Sequence, residues 1–173
     1  MSDARHLHLL MRYSVWANER LFAALATVPE RELVADRDIV FGNILRTLNH
    51  VHAMDFVWKS HLLGMAHGLA TRNPDYCPPF AELRDAQVQM DRWYLDYIEE
   101  LAPPALNERV DFAFIDGDRG NMTRGEILLH VANHRSYHRG HVAALMYQVP
   151  VFPPTTDLPV YLREIAEYAG PAA

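Results

Sequence analysis

The chain has 173 residues, half of them hydrophobic and 22% charged, a balance that suits one soluble domain with a substantial core. Its net charge of −6 gives nucleic-acid phosphates no general attraction. A lone cysteine, Cys77, excludes an internal disulfide and a thiolate metal cage, and no uncharged apolar run is long enough to span a bilayer. Asp3, Arg5, Arg12 and Glu19 break up the N-terminal stretch and rule out a secretory core. A reducing cytoplasm fits these features.

The first helix is predicted from Asp3 to about Val28, with Ser2 or Asp3 as its cap and Pro29 as its stop. Leu9, Leu10, Tyr13, Trp16, Ala17, Leu21, Leu25 and Val28 give it a wide apolar face, and Trp16 reads as core packing. Residues 29–40 read as a polar connection. A second helix is expected from about Asn43 to Leu63, with Gly64 as its stop. On its wheel Ile44, Leu48, Val51, Asp55, Trp58 and Leu62 form one column, and His50, Met54, Val57 and His61 form the next. His52 falls on the far side, near Phe56 and Lys59.

Gly64 to Pro79 is rich in glycine and proline and reads as a loop. At about 16 residues it is long for a compact domain, and such loops often border a site. His67 and Cys77 are its weak candidates for chemistry. A third helix follows from Phe80 to about Leu101, ended by Pro103 and Pro104. Val110, Phe112 and Phe114 then alternate with polar or small residues before the turn residues Asp116-Gly117-Asp118, so a short β-hairpin is expected.

The fourth long helix, Thr123 to Val149, holds four of the ten histidines: His130, His134, His138 and His141. Thr123 and Glu126 form a capping box, and Pro150 stops the pattern. Thr156 or Asp157 then caps a short helix to about Tyr168, with Gly170 and Pro171 after it. The expected fold is all-α: one domain built as an antiparallel four-helix bundle, with a short C-terminal helix.

His134 and His138 sit inside the apolar series Ile127, Val131, Val142, Leu145 and Val149, about 6 Å apart along the axis. Two such rings can share a metal ion, and burial makes the arrangement hard to dismiss because each ring needs partners for both nitrogens. Two ligands seldom suffice. The second helix offers a third in His50 or His61, with the wheel favouring His50. Gly140 reads as a close-approach point for a neighbouring helix. Arg135 and Arg139 read as solvated or surface-paired cations, or as anchors for an anionic substrate.

Four segments carry a family resemblance: MRYSVWANERLFAAL in helix one, LNHVHAMD in helix two, HVANHRSYHRGH in helix four, and TTDLPVYL near the end. Together they resemble the DinB/YfiT-like family of metal-binding four-helix bundles, with NHxxYHRG the most specific part. The resemblance implies a divalent ion, often nickel or zinc, held by one histidine of helix two and two of helix four. In this sequence those are His50, His134 and His138. It also implies a homodimer. His141 stands where the family commonly has glutamine, which makes it a candidate fourth ligand or a partner to a ligand's other nitrogen. His130, Asp55, Tyr137 and Arg135 are further candidates to support the ligands or line the pocket.

An open three-histidine centre favours an enzyme acting on a small molecule. The HExxH peptidase motif is absent, since Val131-Ala132-Asn133 follows His130, and no glutamate precedes a histidine by three as in di-iron bundles. No nucleophile elbow, phosphate loop or dinucleotide fingerprint occurs. Resembling proteins include transferases and isomerases that use a low-molecular-weight thiol, and others named metal-dependent hydrolases. Asp55 and Glu126 are the nearest general-base candidates, and the lack of a clear base suits thiol chemistry better. The alternative is a non-catalytic metal-binding or sensing bundle. Its site would be closed by His141 or His130 with no adjoining cavity, and Phe112 and Phe114 would leave room for self-association.

Overall fold

The computed structural model describes residues 2–169, with side chains for residues 4–166. The side-chain cap assigned to Ser2 or Asp3 and the stop at Gly170-Pro171 fall outside what is described. α1 (Ser2–Leu25) is followed by a short α2 (Glu30–Val34) inside the stretch expected to be a polar connection. Leu33 accounts for it, because one buried leucine anchors that turn to the core. α3 (Ile44–Leu62) starts at Asn43, whose side chain accepts from the Arg46 amide, and gives way at Gly64, where φ is +67°.

α4 (Phe80–Glu100) runs into a 3₁₀ turn (Pro103–Asn107) that the two prolines lead. The expected hairpin is present, with β1 (Arg109–Ala113) antiparallel to β2 (Arg119–Thr123) and Val110 opposite Met122. α5 (Arg124–Met146) opens with the capping box: the Thr123 hydroxyl accepts from the Glu126 amide, and the Glu126 carboxylate accepts from the Thr123 amide. α6 (Leu158–Ala169) lies against α1. There Trp16 is half-buried under α6, donating to Glu164, rather than deep in the bundle core.

Cross-helix partners fix the directions. Asn18 meets Asp91 and Arg12 meets Glu99, so α1 and α4 are antiparallel. His50 meets His138 while Trp58 meets His130, so α3 and α5 are antiparallel as well. His52 meets Gln87 and Lys59 meets Trp93, so α3 and α4 run the same way. The loop between them must therefore return along α3, which explains its length. Arg72, Tyr76 and Cys77 meet His50, Asn49 and Leu45 in turn.

The core is layered. Met11, Trp58, Tyr94, Ile127 and Val131 help fill one end, and Leu25, Ile44, Leu83, Val142 and Leu145 help fill the other. Between them lie six buried polar residues: Asn18, Asp55, Gln87, Asp91, Arg135 and Arg139. The expectation of surface or substrate-facing arginines is thus corrected. Arg135 is 1% exposed and Arg139 is 6% exposed, because carboxylates and amides from α1, α3 and α4 converge on them. Gly140 is exposed and nothing lies within 4 Å of where its Cβ would be, so no helix approaches there. Phe112 is buried against Trp58 and His61 and is not available for self-association. No described helix is long and apolar enough to cross a membrane.

Candidate metal centre

Because α3 and α5 are antiparallel neighbours, the middle turns of the two helices face one another. His50 comes from α3, and His134 and His138 come from successive turns of α5. Their ring centroids lie 5.2 Å (50–134), 4.7 Å (50–138) and 4.4 Å (134–138) apart. One ring nitrogen from each lies within 4.8 Å of the other two, close enough to share an ion. Of His50 and His61, it is His50 that faces His134 and His138. His61 is turned instead into Trp58, Phe112 and His67.

The donor set fits a divalent cation. His50 Nδ1 donates to the Arg72 carbonyl at 2.7 Å, which orients the ring and leaves the Nε2 lone pair for the centre. Phe41 stacks on the same ring at 4.2 Å. His138 Nδ1 is buried without a hydrogen-bond partner, an unsatisfied atom of the kind a bound group accounts for. Burial, reinforced by the neighbouring rings, lowers the pKa of His134 and of His138 to about 3, and burial lowers that of His50 too. All three rings are therefore neutral at neutral pH, the form a metal ligand requires.

Those lowered values also set an acid response. The unfolded rings take up protons below about pH 6.5 while the folded ones resist to about pH 3, so stability is whole above pH 6.5 and falls as pH drops toward 3. Denaturation midpoints of metal-free protein should decline from pH 7 to 4.5, and decline less in His134→Gln, whose amide does not titrate. Equal declines in both proteins would show that this cluster is not the source.

The three rings form part of the wall of a cavity of about 690 Å³. His130, His141 and Tyr137 line the same space, with His130 5.7 Å from His134 and His141 5.2 Å from His138. Tyr137 is 63% exposed, at the rim. Asp55 and Arg135, expected near the ligands, do not line it. They are paired with each other at 2.8 Å in the polar layer behind the α3–α5 interface. Glu126 is committed to the helix cap. His67 accepts from the Leu69 amide, and the Cys77 thiol, its pKa raised by burial, faces the Leu45 carbonyl, so neither joins the centre. Among the described residues no Asp or Glu lines the cavity.

Two residues at the centre escape a reading of the sequence. Arg72 acts on His50 through its backbone carbonyl, which no side-chain pattern announces, and only the length of its loop hinted at a site. Phe41 lies in the stretch before α3 that carries no periodic signal.

The DinB family profile matches residues 1–168. The chain is 27% identical over 161 residues to Protein DinB of Bacillus subtilis (strain 168), covering 88% of this chain and 91% of that protein. The crystal structure of a DinB-like protein from Bacillus cereus ATCC 10987 superposes with a TM-score of 0.65 at 18% identity, over 84% of this chain and 94% of that one. At that identity the likeness concerns the fold. With the family profile matched along nearly its whole length, the chain belongs to the DinB family.

Proposed function

We propose that the three-histidine centre holds one divalent cation, zinc or nickel, and that the protein is a metal-dependent enzyme acting on a small molecule with a low-molecular-weight thiol as cosubstrate. The observation that carries this reading is the junction of cluster and cavity. Three neutral imidazoles stand on one wall of a 690 Å³ space, a volume suited to a small organic molecule. When bound, a cation there supplies a Lewis acid with an open position, able to ionise a thiol or water or to polarise a carbonyl. His50, His134 and His138 supply nitrogen and no charge. Met54, Trp58 and Phe41 supply apolar walls that exclude water, and Tyr137 and His141 offer polar atoms near the rim.

Asp55 is sealed against Arg135 and Glu126 is held in its cap, so among the described residues no carboxylate is free beside the centre to act as general base. That supports thiol transfer or isomerisation over hydrolysis, because ionising a thiol asks less of a base than ionising water. The adjoining cavity counts against a closed, purely structural site. Protein purified without an affinity tag should carry zinc or nickel in a one-to-one ratio by elemental analysis. The loaded protein should consume glutathione, bacillithiol or mycothiol in the presence of an electrophile. Thiol-independent turnover of an ester or amide would move the reading to a hydrolase, and the absence of stoichiometric metal would remove the centre.

A further inference from the structure

The charge around the cavity is one-sided. Among the described residues no carboxylate lines it, and the permanent cation that does is Arg72, at the outer edge. Two bonds hold Arg72 in place. Its carbonyl accepts from His50 Nδ1 at 2.7 Å, which ties its backbone to the centre. Its guanidinium pairs with Asp116 on the hairpin turn at 3.0 Å, and the two side chains are 62% and 56% exposed. A pair that exposed contributes little, so an incoming carboxylate can take the place of Asp116 at small cost. Guanidinium geometry suits two-point recognition of a carboxylate. Apolar surface from Phe41, Trp58 and Phe114 lines the same space.

We propose that the cavity selects an organic anion, with one acidic group directed at the three-histidine centre and a second, a carboxylate, paired with Arg72 in place of Asp116. This rests on the metal reading above. A divalent ion among neutral imidazoles leaves positive charge that no described lining side chain offsets, and the Arg72 guanidinium beside it is offset only by the exposed Asp116. A ligand with two negative groups offsets it better than a neutral or singly charged one does.

The test uses the full chain titrated with zinc, then calorimetry with two probes: 3-(mercaptomethyl)benzoate, and benzyl mercaptan, which lacks the carboxylate. The wild type should bind the carboxylate probe about two- to fivefold more tightly, the size of one exposed ion pair. Arg72→Gln should bring the two probes to near equality while taking up zinc at the wild-type stoichiometry, because its carbonyl is unchanged. Asp116→Asn, which removes the internal competitor, should tighten the carboxylate probe and leave the other as it was. Equal binding of both probes by the wild type, or a preference that survives Arg72→Gln, would overturn the anion pairing while leaving the metal centre standing. So would weaker binding of the carboxylate probe by Asp116→Asn. A wild type that takes up no zinc would overturn the metal reading, and this proposal with it.

Discussion

His134→Ala and His138→Ala should each abolish stoichiometric zinc or nickel binding, whereas His52→Ala should keep it. Loss of a group that merely orients a ligand costs about 10–100-fold in metal affinity, and loss of one of three ligands should exceed that. His52 lies only two residues from His50, yet it points at α4, where its Nδ1–H donates to Gln87 Oε1 at 3.0 Å. Removing it leaves a buried amide oxygen short of a partner and should lower stability by about 1 kcal/mol. The centre is untouched. Equilibrium dialysis with elemental analysis, beside circular dichroism to confirm folding, separates the variants. Loss of metal from folded His52→Ala would mean that α3 does not turn His50 toward α5 and His52 toward α4.

What the sequence reveals about this site depends on the range of the forces involved. The start of α5 is legible from Thr123 and Glu126 because a capping box closes within four residues. His134 and His138 are legible because a single helix brings them together. His50 is only half legible. The wheel places it and His61 on one column, and only the antiparallel crossing of α3 and α5 separates them. Arg135 and Arg139 mislead for a related reason. A helix with one buried face would leave them outside, but α5 packs against both α1 and α3, which widens its buried arc. Their partners come from other helices, Asp55 lying 80 residues from Arg135 in the chain. The parallel course of α3 and α4 is likewise hidden in the sequence, although the long loop it requires is visible.

Arg135→Met is expected to destabilise the fold by about 3–5 kcal/mol, the cost of stranding buried charge. Arg135 Nε and Nη2 lie 2.9 and 2.8 Å from Asp55 Oδ2, and Nη1 lies 3.0 Å from Asp91 Oδ1. Burial works against the guanidinium charge, but the two carboxylates outweigh it and raise its pKa. Asp91 shows the converse: burial raises its pKa even with Arg135 pulling it down. Without Arg135 that counterweight is gone, and the Asp91 carboxyl should favour the protonated form more strongly in the folded state than in the unfolded one. Groups raised in this way contribute stability below the unfolded value near pH 4 and lose it as pH rises through the folded value. The deficit of Arg135→Met relative to wild type should therefore shrink as denaturation is moved from pH 7 toward pH 4. Adding Asp55→Asn and Asp91→Asn should recover part of it at pH 7. A deficit that stays constant with pH would show that lost packing around the side chain, not stranded charge, is what the polar layer guards against.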